Sequence, residues 1–327
     1  MMVETRIGLE VNEWLNLQGR IELIRWAEEH GFDNACIPEV TDPEVFVTCA
    51  LALAATSQIR LGTDIVPIGP RSLPILASSV ATVASCAPGR FAVGLGVSTE
   101  ALISRWHGIS WDQPLTRARD TVLALRRALA GERTDETGPQ VRTRGYQLAF
   151  PPATPPPIHL AALNKGMLRV AGQVADGVWL NYVPAHRIGT VVDIVRAGAG
   201  EAERPMPEIL LSVLCDVTDD TVSARAGIRS HLAFYMAAPP YRAALAWHGF
   251  EQEMADAQAA FERRDRQGVA AAITDELIDS IALVGNRSYV HERLEAYLAA
   301  GVTSLSVCAA DRSRADSSLR AVAPKPD

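Results

Sequence analysis

Short apolar runs alternate with longer helical stretches along the whole chain. Eight runs bounded by turn residues read as strands buried on both faces: residues 6–11, 34–38, 60–66, 91–96, 158–162, 177–181, 209–217 and 304–308. Helical stretches fall between and after them at 17–30, 43–56, 73–86, 116–130, 166–174, 185–197, about 220–267 and 288–300. Strands that alternate with helices predict a parallel sheet with crossover connections. Eight such units favour closure into an α/β TIM barrel, (β/α)8, over an open doubly wound sheet.

Two segments are too long for one βα unit. Residues 131–157 are rich in Pro, Gly, Thr and charge, with TRGYQL as one short strand. Residues 220–285 carry AAPPY, GFEQEM and DELIDSIALVG and predict several helices. Both read as insertions in a single domain over 1–327, placed above the C-terminal ends of the strands. The second and third helices, VFVTCALALAAT and SLPILASSVATVASCAP, contain no charged residue. A barrel helix normally turns a polar face to water, so this pair predicts a homodimer interface.

Composition narrows the partners. The formal net charge of −7 and pI of about 5.6 provide no basic face for nucleic acid. No apolar run reaches the roughly 18 residues of a membrane span, and the first residues lack a secretory pattern. A cytoplasmic protein acting on a small molecule is the expectation. The five cysteines lack C-x-x-C spacing and predict buried free thiols. No histidine pair has metal-ligand spacing, and neither a G-x-S-x-G elbow nor a Walker loop occurs. Such a chain would borrow a cofactor for its chemistry.

In a barrel that chemistry lies at strand C-termini. Strand one ends in Glu10, Val11 and Asn12, and strand two in Pro38 and Glu39, with Asp42 beyond. Strand three ends in Asp64, Ile65 and Val66, and strand four runs into Gly94, Gly96, Val97, Ser98, Thr99 and Glu100. The glycines of GLGVS admit either close packing or close approach of a flat ligand. After strand five, Asn164 can cap a helix that Lys165 and Gly166 open. Free N–H groups there, with Arg169 adding charge, suit an anion; an ordinary N-cap is the alternative.

These residues resemble the bacterial-luciferase-like superfamily, and within it the oxidoreductases dependent on coenzyme F420, a deazaflavin. The resemblance runs in order through IRLGTDIVPIGPRSLPILA, PGRFAVGLGVS, RWHGISWDQPLTRARDTV, PPPIHLAALNKGMLRVAGQVADGVWLN, GFEQEM, DELIDSIALVG and RLEAYLAAGV, which together cover almost the whole chain. It implies a non-prolyl cis peptide at Asp64–Ile65, backing the central ring of the cofactor with Val66 beside it. Gly96, Val97 and Ser98 match residues beside the ring, and Asn164, Lys165, Gly166 and Met167 match the loop that holds the cofactor phosphate. The implied activity is hydride transfer between the deazaflavin and a C=C, C=N or C=O bond, with a protein group supplying the proton. Glu39, Glu100 and His107 are the candidate catalytic residues, with Glu10 behind them. The chain departs from the pattern where Asp64 replaces a frequent glycine, NKG replaces GPK, Glu39 stands where many relatives have histidine, and Thr99–Glu100 replaces Gly-Pro. An FMN-dependent monooxygenase of the same fold and a cofactor-free binding or assembly barrel are the alternatives.

Overall fold

The structure is a computed structural model that describes residues 6–41, 43–138 and 140–325; Asp42 therefore lies outside the described residues. Its strands are β1 Arg6–Glu10, β2 Asn34–Ile37, β3 Arg60–Thr63, β4 Val66–Pro67, β5 Phe91–Gly96, β6 Ile158–Ala161, β7 Gly177–Asn181, β8 Glu208–Val217, β9 Ala282–Gly285 and β10 Ser304–Ala309. The helices up to β8 are α1 Leu17–Glu29, α2 Val45–Ala54, α3 Leu73–Cys86, α4 Glu100–His107, α5 Pro114–Leu129, α6 Lys165–Val174 and α7 Ile188–Glu201. After β8 come α8 Thr221–Tyr235, α9 Pro239–Trp247, α10 Glu251–Glu262, α11 Arg266–Ala271, α12 Asp275–Ile281, α13 Arg287–Ala299 and α14 Ala315–Val322.

Every strand pairing is parallel, in the order β1-β2-β3-β5-β6-β7-β8, and β10 pairs with both β1 and β8. That double pairing closes the sheet into the expected (β/α)8 barrel. The strand interiors are apolar on both faces, as in β8, where all but the two end residues are buried. One core runs through the barrel and its surrounding helices, from Leu9, Ile37 and Leu61 to Val307.

The structure departs from the sequence expectations in several places. The third strand is broken: β3 stops at Thr63, and the Asp64–Ile65 peptide is cis, where the resemblance placed such a bond. Gly62 pairs with Ala92 but Val66 with Leu95, so the offset falls from 30 to 29 and β3–β4 carries one extra residue, a bulge. Thr63 replaces the lost ladder with its side chain, its Oγ1 donating to the Gly94 carbonyl at 2.8 Å and accepting the Gly94 N–H at 2.9 Å. A Cβ on Gly94 would stand 2.0 Å from the Thr63 carbonyl oxygen, and one on Gly96 2.6 Å from Ile65 Cδ1. The GLG glycines thus make room for this break, which is the packing role.

TRGYQL forms no strand; the isolated antiparallel bridges Thr134–Tyr146 and Thr137–Arg142 hold that insertion instead. The second insertion contains α8 to α12 and also β9, which the helical reading of DELIDSIALVG concealed. Strand β8 continues past its last rung with β7, and β9 takes that vacated edge, Leu214 to Ala282 through Val217 to Gly285. The insertion has a second core, including Ile228, Leu232, Met236 and Leu277, which meets the barrel at Tyr182 and Leu214. Helices α4 and α14 lay outside the expected set. Cys36, Cys49 and Cys215 are buried free thiols as expected, but Cys86 is exposed and Cys308 half-buried. Among the described residues no helix is long and apolar enough to cross a membrane.

Candidate active site at the barrel mouth

Three strand ends converge on the floor of the mouth. Glu10 ends β1, Cys36 lies in β2 and Asp64 follows β3; a carboxylate oxygen or sulfur from each lies within 4.8 Å of the others. Ser212 on β8 donates its hydroxyl to Asp64 Oδ2 at 2.8 Å. Cys308 on β10 completes the ring, and Asn12 ties it in place, its Nδ2 donating to Cys308 Sγ at 3.3 Å and to the Ala309 carbonyl at 2.9 Å.

Tyrosines stand above this floor. Tyr182 follows β7, while Tyr235 and Tyr241 come from α8 and α9 in the insertion. Tyr182 packs edge-on to Tyr235 with ring centroids 5.4 Å apart, and Tyr235 to Tyr241 at 5.1 Å. Tyr182 Oη is in hydrogen-bond contact with His231 Nε2 at 3.1 Å. Burial lowers the His231 pKa and raises those of all three tyrosines, so these groups stay neutral around neutral pH.

The electrostatics of the floor follow from desolvation. Glu10 retains some exposed surface yet is ringed by protein, and burial, then the Asp64 charge, pushes its pKa up to about 8. Burial raises Asp64 to about 6, held back by the Ser212 hydrogen bond. Burial also pushes the Cys36 and Cys308 thiols up, so both remain protonated.

The sequence candidates distribute around this floor unevenly. Ile65 sits against Cys36, Trp179, Leu210 and Ala161 beside the carboxylates, and Val66 is fully buried behind it. Val97 accepts a hydrogen bond from Trp111 Nε1 at 3.0 Å, and Ser98 takes a left-handed conformation at φ 57°. Glu39 is held by Arg71 in a two-pronged ion pair at 2.7 and 2.6 Å, and Arg71 also reaches Glu44. Its carboxylate thereby ties the end of β2 to the start of α3. Glu100 and His107 lie at opposite ends of α4, both exposed.

At the start of α6, Asn164 accepts the Met167 N–H at 3.0 Å, and Met167 is buried beneath. That leaves the Lys165 and Gly166 N–H groups pointing off the helix end. Lys165 Nζ lies 5.4 Å over the Trp247 ring, and the Arg187 guanidinium 5.6 Å from the same ring. Arg187 Nε is buried with no partner among the described residues. An open helix start with two cations, one bearing an unused donor, fits a phosphate group. Arg169 does not contribute; it pairs with Glu201 on the outer surface.

Glu10 was the minor candidate in the sequence, Tyr182 was legible there as the residue that ends the strand over 177–181, and Ser212, Tyr235, Tyr241, Arg187 and Trp247 gave no signal. Their strands and helices were legible, but only closure of the barrel brings them together.

A family model described as luciferase-like monooxygenase matches residues 2–304. The chain belongs to this family. It is 30% identical over 284 residues to a 5,10-methylenetetrahydromethanopterin reductase of Methanolobus tindarius, covering 85% of this chain and 86% of that protein. The fold is that of a coenzyme F420-dependent tetrahydromethanopterin reductase of Methanopyrus kandleri, with a TM-score of 0.83, 22% identity, and 99% and 98% of the two chains covered. An F420-dependent secondary alcohol dehydrogenase shares it at a TM-score of 0.79 and 16% identity, with 97% of each chain covered.

The raised Glu10 pKa has a consequence for this family member's stability. Unfolded, the carboxyl titrates near 4.5; folded, near 8. The native state therefore binds the extra proton between these values, and its stabilising contribution, complete below 4.5, is lost as pH rises through 8. Glu10→Gln removes this titration. Thermal melts should nearly coincide with the parent's at about pH 4, while at about pH 9 the variant should melt higher by about 3 °C or more; the same offset at both pH values would contradict the raised pKa.

Proposed function

We propose that this luciferase-like family member is a coenzyme F420-dependent oxidoreductase. It moves a hydride between the deazaflavin and an unsaturated carbon of a small molecule. The observation that carries this reading is the placement of Glu10 beside Asp64 on the floor of a tyrosine-lined barrel mouth, where burial pushes its pKa up to about 8. The F420-dependent relatives support the choice of cofactor. A common hydrogen-bonded sheet supports treating the chain as one domain.

When bound, the reduced deazaflavin supplies the hydride. The residues of the chain supply the rest. Asp64–Ile65 and Gly96 line the floor where the ring would lie, and Lys165, Gly166 and Arg187 would hold the phosphate. Tyr182, Tyr235 and Tyr241 exclude water, which strengthens the charges beneath them. Glu10 donates its proton to the substrate atom left negative by hydride addition.

Titration with F420 and with FMN separates the deazaflavin from the flavin reading. Tight F420 binding without FMN binding is expected, and the reverse outcome would replace the proposal with an FMN monooxygenase. Gly166→Glu adds negative charge at the helix start, where its Cβ would stand 3.0 Å from Leu115 Cδ1. It should weaken F420 binding by about tenfold or more, and unchanged affinity would remove the phosphate assignment.

Kinetics test the acid. The rate of reduction should fall as pH rises through about 8, where Glu10 loses its proton. Glu10→Gln should lower kcat by about 100-fold or more; a fully active variant would exclude Glu10 from this role.

We also propose that two copies meet through α2 and α3. Val47, Leu51 and Ile75 are 55%, 44% and 56% exposed on these uncharged helices, and Phe150 beside them is 87% exposed. A dimer is expected in sedimentation, and Ile75→Glu should yield monomer. A parent protein that is already monomeric would overturn this assignment.

A further inference from the structure

The floor holds a second carboxyl that the reaction itself does not require. Asp64 stands where the family resemblance has a frequent glycine. It approaches Glu10 from the neighbouring end of β3, within the 4.8 Å grouping that includes Cys36. We propose that Asp64 is a positioning residue for the active-site proton: the two carboxyl groups share one proton, held on Glu10 while Asp64 stays anionic. This rests on the reading of Glu10 as the acid.

The geometry sets both the number of protons and their placement. Two ionised carboxylates at this spacing in a partly dry site shift one another by about two pH units, so the second ionisation is strongly resisted. The placement comes from two neighbours: the Ser212 hydroxyl donates to Asp64 Oδ2 at 2.8 Å and stabilises the anion there, and the Glu13 charge raises Glu10, whose own contacts with Ser212 and Cys308 are outweighed by burial and the Asp64 charge. Among the described residues, the groups acting on the pair from the surrounding elements supply no compensating cation. Cys36 on β2 and Cys308 on β10 are neutral thiols. Tyr182 after β7, Tyr235 on α8 and Tyr241 on α9 are neutral phenols, with His231 neutral behind Tyr182. Glu13, on the loop after β1, adds only negative charge. The floor therefore rests at one negative charge, and the glutamate keeps its proton to a pH that a lone carboxylate there would not reach.

Removing Asp64 should then weaken Glu10 as a proton carrier without altering the glutamate itself. Infrared titration of the cofactor-free protein reads the protonated-carboxyl band directly. In the parent, a band attributable to Glu10 should disappear with a midpoint near pH 8, and Glu10→Gln should lack it. In Asp64→Asn the midpoint should fall by about two pH units, and the alkaline limb of the activity profile should move with it. Ser212→Ala is the second variant. It removes the donor to Asp64, so the lower of the two titration steps, near 6, should rise by about one unit. An unmoved midpoint in Asp64→Asn, or an unmoved lower step in Ser212→Ala, overturns the proposal. So does a parent band that changes on treatment with EDTA, because a bound cation would then hold the pair. A shifted band combined with full activity of Glu10→Gln would overturn the catalytic reading beneath it. An inactive Glu10→Gln with an unmoved limb in Asp64→Asn would overturn only the sharing of the proton.

Discussion

Closure of the sheet by β10, which pairs with β1 on one edge and β8 on the other, is the constraint on which the rest depends. A parallel barrel brings every strand to the same end of the molecule, with adjacent C-termini only a strand spacing apart. Residues as distant in sequence as Glu10, Asp64, Ser212 and Cys308 become neighbours for that reason alone. The same closure sets how dry they are, because the insertion helices place Tyr235 and Tyr241 over the floor while the apolar core blocks the other side.

Desolvation then decides the chemistry of the floor. An isolated carboxyl in water would be ionised at neutral pH and unable to donate a proton. Here burial opposes ionisation of both Glu10 and Asp64, the Ser212 hydroxyl donates to Asp64, and the Glu13 charge presses on Glu10. Glu39, chemically similar, is held differently. Its partnership with Arg71 commits it to joining β2 to α3. Two glutamates at adjacent strand ends thus serve opposite ends because one meets a guanidinium and the other a second carboxyl.

The fold was legible in the sequence because a strand buried on both faces must be written in apolar residues, and eight such runs are visible. The break after Thr63 was not visible as a pause in that pattern, since Ile65 and Val66 continue it; only the resemblance to known relatives placed a cis bond there. Strand β9 was hidden because IALVG follows directly on the helical pattern of DELIDS. The helix start at Asn164 was legible because its cap is local, three residues deep. The proton-bearing pair was not: no spacing along the chain relates Glu10 to Asp64, and their meeting is a property of the closed barrel. Arg187 and Trp247 escaped for the same reason, the first lying just after β7 and the second deep in an insertion.

The insertion between Val217 and Ala282 leaves and rejoins the barrel on the same ladder, since Leu214–Val217 pair in parallel with Ala282–Gly285. Its two ends are therefore fixed about 11 Å apart, at opposite ends of that short ladder, whatever lies between them. Such an attachment is modular. The segment can lengthen, shorten or be exchanged in evolution without moving the eight strands, provided that the short β8–β9 ladder is retained. Because Tyr235 and Tyr241 ride on this segment, the roof over the reacting atoms can be rebuilt independently of the acidic floor, which lets one catalytic base plate be fitted to many substrates.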